Sequence, residues 1–325
     1  MRVISEREVG RLLDIPELIG ALEQAHIQYS TGKAIMPVRL VMPLPAIGGR
    51  ITSMPGYLAD DRALGIKVVT YFQENPRKNL PAILAVVMLF SAETGKLIAL
   101  MEGSSLTAIR TACASAMATK VLANPQTPVL GILGAGVQAR AHLRALSRVR
   151  KLERVKIYSP SGRSAERVKA ELEPELRVPI EVAGSAAEAV RGSQVVVTAT
   201  TSKEPVLEAD WLEPGAHVNA VGSHRPDLRE IDGRTLARCT LFVDSREAIM
   251  AECGDVLLAL REGSISGDPI CGEIGAVLAG LIPGRTRRDE ITLYKSVGIA
   301  IQDVAAAHLV YRRALAENAG TEVEI

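Results

Sequence analysis

The chain has 325 residues, enough for two domains with a sizeable buried core. Its 38 Lys and Arg nearly balance 37 Asp and Glu, which argues against nucleic acid or an anionic membrane as the main partner. Cys113, Cys239, Cys253 and Cys271 show no CxxC spacing and no paired histidines, which argues against a zinc site or a disulfide framework and for a reducing cytoplasm.

The first residues, "MRVISEREVGRLLD", carry charge and no apolar signal-peptide core. No apolar run reaches the ~18 residues of a membrane span. Ser5 stands three residues before Glu8, a capping-box spacing, and Pro16 divides this region into two helices. The second runs from Ile15 to about Thr31, with apolar residues at three- and four-residue spacing. Extended runs follow: "RLVMPLP", "GRITSMPGYL", "ALGIKVVTYF" and "AILAVVMLFSAETGKLIALM". Their Pro, Gly and Asn punctuation predicts an antiparallel sheet, with "AETGK" as a hairpin turn.

From Ser105 the period changes. "SLTAIRTACASAMATKVLA" reads as a helix of small residues, and strands and helices then alternate through "TLFVDSREAIMAECGDVL". That alternation predicts a parallel sheet covered on both faces. The tail "SVGIAIQDVAAAHLVYRRALAENAG" reads as one long helix.

"VLGILGAGVQARAHL" contains Gly134-Ala135-Gly136-Val137-Gln138-Ala139, a G-x-G-x-x-A run between a strand and a helix. The first glycine permits a tight turn, the second lets a pyrophosphate approach, and the third small residue lets the helix pack on the strand. The helix N-terminus adds free N–H groups and a positive dipole end. The other reading is a glycine-rich turn without a ligand. The next strand ends in "IYSPSGRSAER", with Ser159, Ser161 and Arg163 and no acid before Glu166. Hydroxyls and a guanidinium suit a 2′-phosphate, so NADP(H) is preferred and NAD(H) stays compatible. An ordinary solvated loop is the plainer reading. Thr198, Ala199 and Thr200 end a later strand at the carboxyl edge, where open α/β sheets bind ligands, and Val221, Gly222 and Ser223 end the next one.

Across nearly its whole length the chain resembles the ornithine cyclodeaminase/μ-crystallin family. The stretches that carry the likeness are "MPVRLVMP", "LGIKVVT", "GSSLTAIRTACASAMATKVLA", "GILGAGVQARAHL", "VNAVGSHRPDLREID", "GEIGAVLAGLIPGRT" and "ITLYKSVGIAIQDVAAA". The resemblance implies an α/β fold: a doubly wound Rossmann sheet, residues 113–302, inserted in an α+β substrate-binding and dimerisation domain, residues 1–112 with 303–325. It also implies a homodimer. It makes Arg39 the binder of a substrate carboxylate and Lys67 the active-site lysine, and it sets Arg110 near both substrate and cofactor. Thr107 and Thr111 would flank Arg110 on the cofactor side. Ser296 and Val297 would lie beside the nicotinamide, with Gly298 on the substrate side. Surface ion pairs for the arginines and a snorkelling lysine are the alternatives from periodicity alone.

In the cyclodeaminases the resembling loop carries an Asp that handles the substrate amine. Here His224 takes that position, and Leu228 stands where a Lys is expected. The loop looks instead like those of the family's imine reductases and of μ-crystallin. The implied activity is NADPH-dependent reduction of a small cyclic imino acid, Δ1-pyrroline-2-carboxylate or Δ1-piperideine-2-carboxylate. An ornithine cyclodeaminase, an alanine-type dehydrogenase and a crystallin-like NADPH-binding protein are the alternatives. Lys67 is the first candidate acid and His224 the second. His224 also reads as a non-catalytic contact or as a satisfied loop residue. His26, His142, His217 and His308 read as structural, away from these motifs. Asp227, Arg229 and Glu230 read as local pairing within the loop. No metal, nucleic acid or membrane partner is expected.

Overall fold

The computed structural model describes residues 1–324 and divides into two compact units. The first is Met1–Arg110 with the segment from Ile299 onward, and the second is Thr111–Gly298. These boundaries fall at 110/111 and 298/299, where the resemblance set 112/113 and 302/303.

The first unit begins with β1 (Arg2–Ile4), α1 (Glu6–Leu12) and α2 (Ile15–Ser30). Glu8 accepts from both the Ser5 N–H and hydroxyl, and the Asp14 carboxylate caps α2 at Glu17 N. Then come β2 (Ala34–Ile35), β3 (Leu40–Leu44), β4 (Gly49–Leu58), β5 (Ala63–Phe72), β6 (Ile83–Ser91) and β7 (Leu97–Glu102). β4 to β7 form an antiparallel meander. The sheet is not purely antiparallel, because β1 pairs in parallel with β7. α3 (Ser104–Leu122) leads from the first unit into the second.

The second unit runs β8 (Val129–Leu133), α4 (Val137–Leu146), β9 (Arg154–Tyr158), α5 (Arg163–Leu176), β10 (Ile180–Val182), α6 (Ala186–Val190), β11 (Val195–Thr198) and β12 (His217–Ala220). It continues with α7 (Gly233–Arg238), β13 (Thr240–Val243), α8 (Arg246–Glu252), α9 (Gly254–Arg261), β14 (Ile270–Glu273), α10 (Ile274–Leu278) and β15 (Thr292–Lys295). The strand order is β10-β9-β8-β11-β12-β15-β13-β14, with every pairing parallel. β8, β11 and β12 are buried throughout, as a sheet covered on both faces requires. The winding reverses between β8 and β11, and their carboxyl ends mark the switch point where such sheets take ligands.

The chain returns to the first unit as α11 (Ala300–Ala316) and β16 (Thr321–Glu322), which pairs with β1. The tail is therefore shorter as a helix than its composition predicts. Gly298 has φ +77°, and the helix starts only after it. α11 lies close on the sheet because Gly56 and Gly65 leave room for it: a Cβ on either would meet Val304 within 3.4 Å. No helix among the described residues is long and apolar enough to cross a membrane.

Candidate active site

The alternation of β5 buries Ala63, Gly65 and Lys67 on the face that α11 covers. Lys67 Nζ stands 2.7 Å from Asp303 Oδ2, with side chains 3% and 0% exposed. It also donates to Thr107 Oγ1 at 3.4 Å. Arg110 Nε donates to the other Asp303 oxygen at 2.8 Å, and its Nη1 donates to Gln302 Oε1 at 2.6 Å. Gln302 Nε2 lies 3.0 Å from His26 Nε2, so the amide donates and the ring accepts. Burial, with help from Arg110, pushes the His26 pKa down to about 3, so the ring is neutral.

Two cations therefore share one carboxylate in a water-poor site. Burial drives the Lys67 pKa down to about 7, Asp303 pulls it back up, and Arg110 and Arg39 lower it further. Burial opposes charge on Asp303 too, but Arg110 and Lys67 hold its carboxyl below the usual range. With Lys67 protonated the cluster carries a surplus positive charge, which suits a ligand carboxylate. It also contains an amine able to give a proton near neutral pH. Arg39, half-buried in the segment between β2 and β3, acts electrostatically on Lys67.

In the second unit, Gly134 follows β8 with φ +112°, and a Cβ there would collide with the Ala199 carbonyl. Ala135 is buried against the core. Gly136 is the N-cap of α4, no side chain caps the helix, and the space a Cβ would fill is open. Val137 and Gln138 open the helix, whose Ala139 is fully buried. Past β9, the Ser159 and Ser164 hydroxyls lie 2.7 Å apart, and Ser161 and Arg163 are exposed at the start of α5. These residues fit a dinucleotide: an open glycine cradle at an uncapped helix, and a second strand end without a carboxylate.

Thr198 ends β11, with Ala199 and Thr200 just after it, and Val221, Gly222, Ser223 and His224 follow β12 at the same edge. His224 is half-buried with Nδ1 3.2 Å from Gly222 O, and Ser223 Oγ donates to Leu228 O at 2.6 Å. Asp227 pairs locally, with Arg225. Arg229 reaches outside the loop to Glu262, whereas Glu230 accepts from Gly222 N within the loop and from Thr198 Oγ1 at the end of β11. Val297 N and Gly298 N both donate to Asp244 Oδ2, at 3.0 and 2.8 Å, which fixes the segment after Ser296. Thr111, one turn beyond Thr107 in α3, is 8% exposed.

The sequence motifs assign Asp303, Gln302 and His26 no part in the site. A signal existed: Asp303 is the lone acid, beside Gln302, in the first turn of the mostly apolar run "IAIQDVAAA". A charge in so apolar a stretch needs a buried partner.

Comparison with known proteins agrees with this geometry. Ketimine reductase mu-crystallin of Macropus fuliginosus is 39% identical over 298 residues, covering 90% of this chain and 91% of that one. The structure of Thermococcus litoralis Δ1-pyrroline-2-carboxylate reductase with NADH and L-proline superposes with a TM-score of 0.96. It is 39% identical and covers 99% of this chain and all of its own. An archaeal alanine dehydrogenase, solved as a dimer with NAD bound, gives a TM-score of 0.94 at 35% identity, covering 100% of this chain and 99% of its own. The family model for these proteins matches residues 1–318, and the chain belongs to the ornithine cyclodeaminase/mu-crystallin family.

Proposed function

We propose that this protein is an oxidoreductase that reduces a small cyclic imino acid, of the Δ1-pyrroline-2-carboxylate or Δ1-piperideine-2-carboxylate type, to the L-amino acid. The observation that carries the reading is the buried Lys67–Asp303–Arg110 cluster, in which two basic side chains share one carboxylate. Arg39, which like Arg110 acts electrostatically on Lys67, binds the substrate carboxylate. Lys67 gives its proton to the imine nitrogen, and Asp303 keeps the ammonium aimed. A reduced nicotinamide, when bound at the Gly134–Gly136 turn, supplies hydride to the imine carbon. The proline-bound reductase from Thermococcus litoralis supports this substrate class. His224 and Leu228, in place of the Asp and Lys expected of a cyclodeaminase, favour reduction over amine release.

We infer that NADPH is the preferred reductant. The support is the carboxylate-free stretch from Ser159 to Arg163. The solved relatives with NADH and NAD make NAD(H) the competing cofactor. A cytoplasmic location, with its reducing NADPH pool, suits this direction. The first unit serves as substrate and dimer domain and the second as nucleotide domain. A homodimer through the first unit's sheet is supported by its exposed apolar side chains, among them Leu40 at 70%, Met42 at 52% and Val86 at 40%. Val86→Lys should give a smaller sedimenting species, and an unchanged one would exclude this face.

The test of the chemistry is Lys67→Ala beside Arg39→Ala with Δ1-pyrroline-2-carboxylate. Lys67→Ala should lower kcat by about 10²-fold or more at nearly unchanged NADPH affinity. Arg39→Ala should mainly raise the imino acid KM. Wild-type kcat in Lys67→Ala would contradict the assignment.

A further inference from the structure

The second unit holds another group of buried charges, formed by residues with no role so far. Lys295 at the end of β15, Asp255 in the first turn of α9 and Glu230 in the loop after β12 are each 0% exposed. Lys295 Nζ lies 2.8 Å from Asp255 Oδ2. Asp255 Oδ1 accepts from Glu230 N at 2.7 Å and Ile231 N at 2.8 Å, which anchors the far end of the His224 loop. Glu230 turns back to the near end. Its Oε1 accepts from Thr200 N at 2.6 Å, and its Oε2 accepts from Thr198 Oγ1 at 2.8 Å and Gly222 N at 2.7 Å.

One carboxylate thus ties the end of β11 to the end of β12. These are the two segments read as cofactor contacts, and His224 follows two residues after Gly222. The packing leaves no slack. A Cβ on Gly222 would collide with the Glu230 carboxyl, and one on Gly254 would collide with the Leu228 carbonyl. Three buried charges are a poor way to gain stability, since a well-packed apolar group often does as well. The donors explain the choice of residue. Two backbone N–H groups approach different oxygens of Glu230, so both oxygens must accept. A glutamine would turn its NH2 toward one of those N–H groups. Burial pushes the Glu230 carboxyl up, while the Lys295 ammonium and the Thr200 bonds pull it back.

We propose that Glu230 is a positioning residue: with Lys295 and Asp255 behind it, it fixes the ends of β11 and β12 in the one arrangement that receives the nicotinamide cofactor. It acts through Thr198, Thr200 and Gly222 and touches neither reactant. The proposal rests on the dinucleotide reading above.

The experiment titrates the full-length protein with NADPH and with NADH by calorimetry. It compares wild type, Glu230→Gln, Thr198→Val and Arg229→Ala, with thermal midpoint and kcat recorded for each. Glu230→Gln should weaken the preferred cofactor by about tenfold, the scale of one lost charged hydrogen bond. That loss should appear in the folded fraction and lower kcat as well. Thr198→Val removes one donor at constant shape, is not expected to disturb folding, and should show about a threefold loss. Arg229→Ala, whose Glu262 partner lies on the outside of the loop, should bind like wild type. Glu230→Gln and Thr198→Val that bind and turn over like wild type would overturn the proposal alone. If Glu230→Gln does not fold, Thr198→Val decides. A wild-type protein that binds neither nucleotide would overturn the dinucleotide reading and the proposal with it.

Discussion

Asp303→Asn removes the carboxylate that Lys67 and Arg110 share while keeping the side chain's shape. At 2.7 Å, with an effective dielectric constant of about 20, the Lys67–Asp303 attraction is roughly 6 kcal/mol before desolvation is counted. Breaking a buried pair costs about 3–5 kcal/mol net. Arg110 cannot shed its proton, so it bears the stability loss. Lys67 can shed its proton, and it answers by titrating. A loss of ~3 kcal/mol on its charged form takes its pKa from about 7 to roughly 5. Near pH ~7.5 the protonated share then falls from about a quarter to about 0.3%, nearly 10²-fold. The assay is the pH profile of kcat/KM with Δ1-pyrroline-2-carboxylate. The variant should be slow near neutrality and recover toward about pH 5, where Lys67 is again charged. An equal loss at every pH, with the profile unmoved, would mean that Lys67 is not the proton donor.

Two other outcomes follow from the same structure. Replacing Ser161 and Arg163 together with alanine should weaken NADPH by about tenfold or more and NADH by less than about threefold; equal losses would mean the loop does not read a 2′-phosphate. Burial holds His26 and His217 down to about 3 and His142 to about 4. The unfolded chain takes up those protons below about pH 6.5 and the folded chain does not, so stability present above that pH is lost as pH falls. At about pH 5.5 each histidine costs about 1.4 kcal/mol, roughly 4 kcal/mol together. The thermal midpoint should drop between about pH 7.5 and 5.5, and a level midpoint would contradict this.

Local signals were legible in the sequence and long-range ones were not. "GRITSMPGYL" and "ALGIKVVTYF" coincide with β4 and β5, because a strand's pattern and its turn residues lie in one short window. The Gly134–Gly136 turn was legible for the same reason. β1 was not, since three residues beside charged neighbours carry no period. The pairing of Arg110 with Asp303 spans 193 residues, and no spacing rule connects them. The discontinuous first unit was expected from resemblance alone, because nothing in α11 itself names the sheet it covers. Glu230 looked like a loop acid because its three donors come from backbone and hydroxyl groups, which leave no charge pattern to read.

The most direct measurement is reduced-nicotinamide oxidation with Δ1-pyrroline-2-carboxylate, run beside ornithine assayed for ammonia. A cyclic imino acid reductase should oxidise NADPH rapidly in the first reaction and release no ammonia in the second. Ammonia from ornithine, with a silent imine reaction, would mean that His224 replaces the aspartate of the cyclodeaminases and that the chain runs the full cyclodeamination.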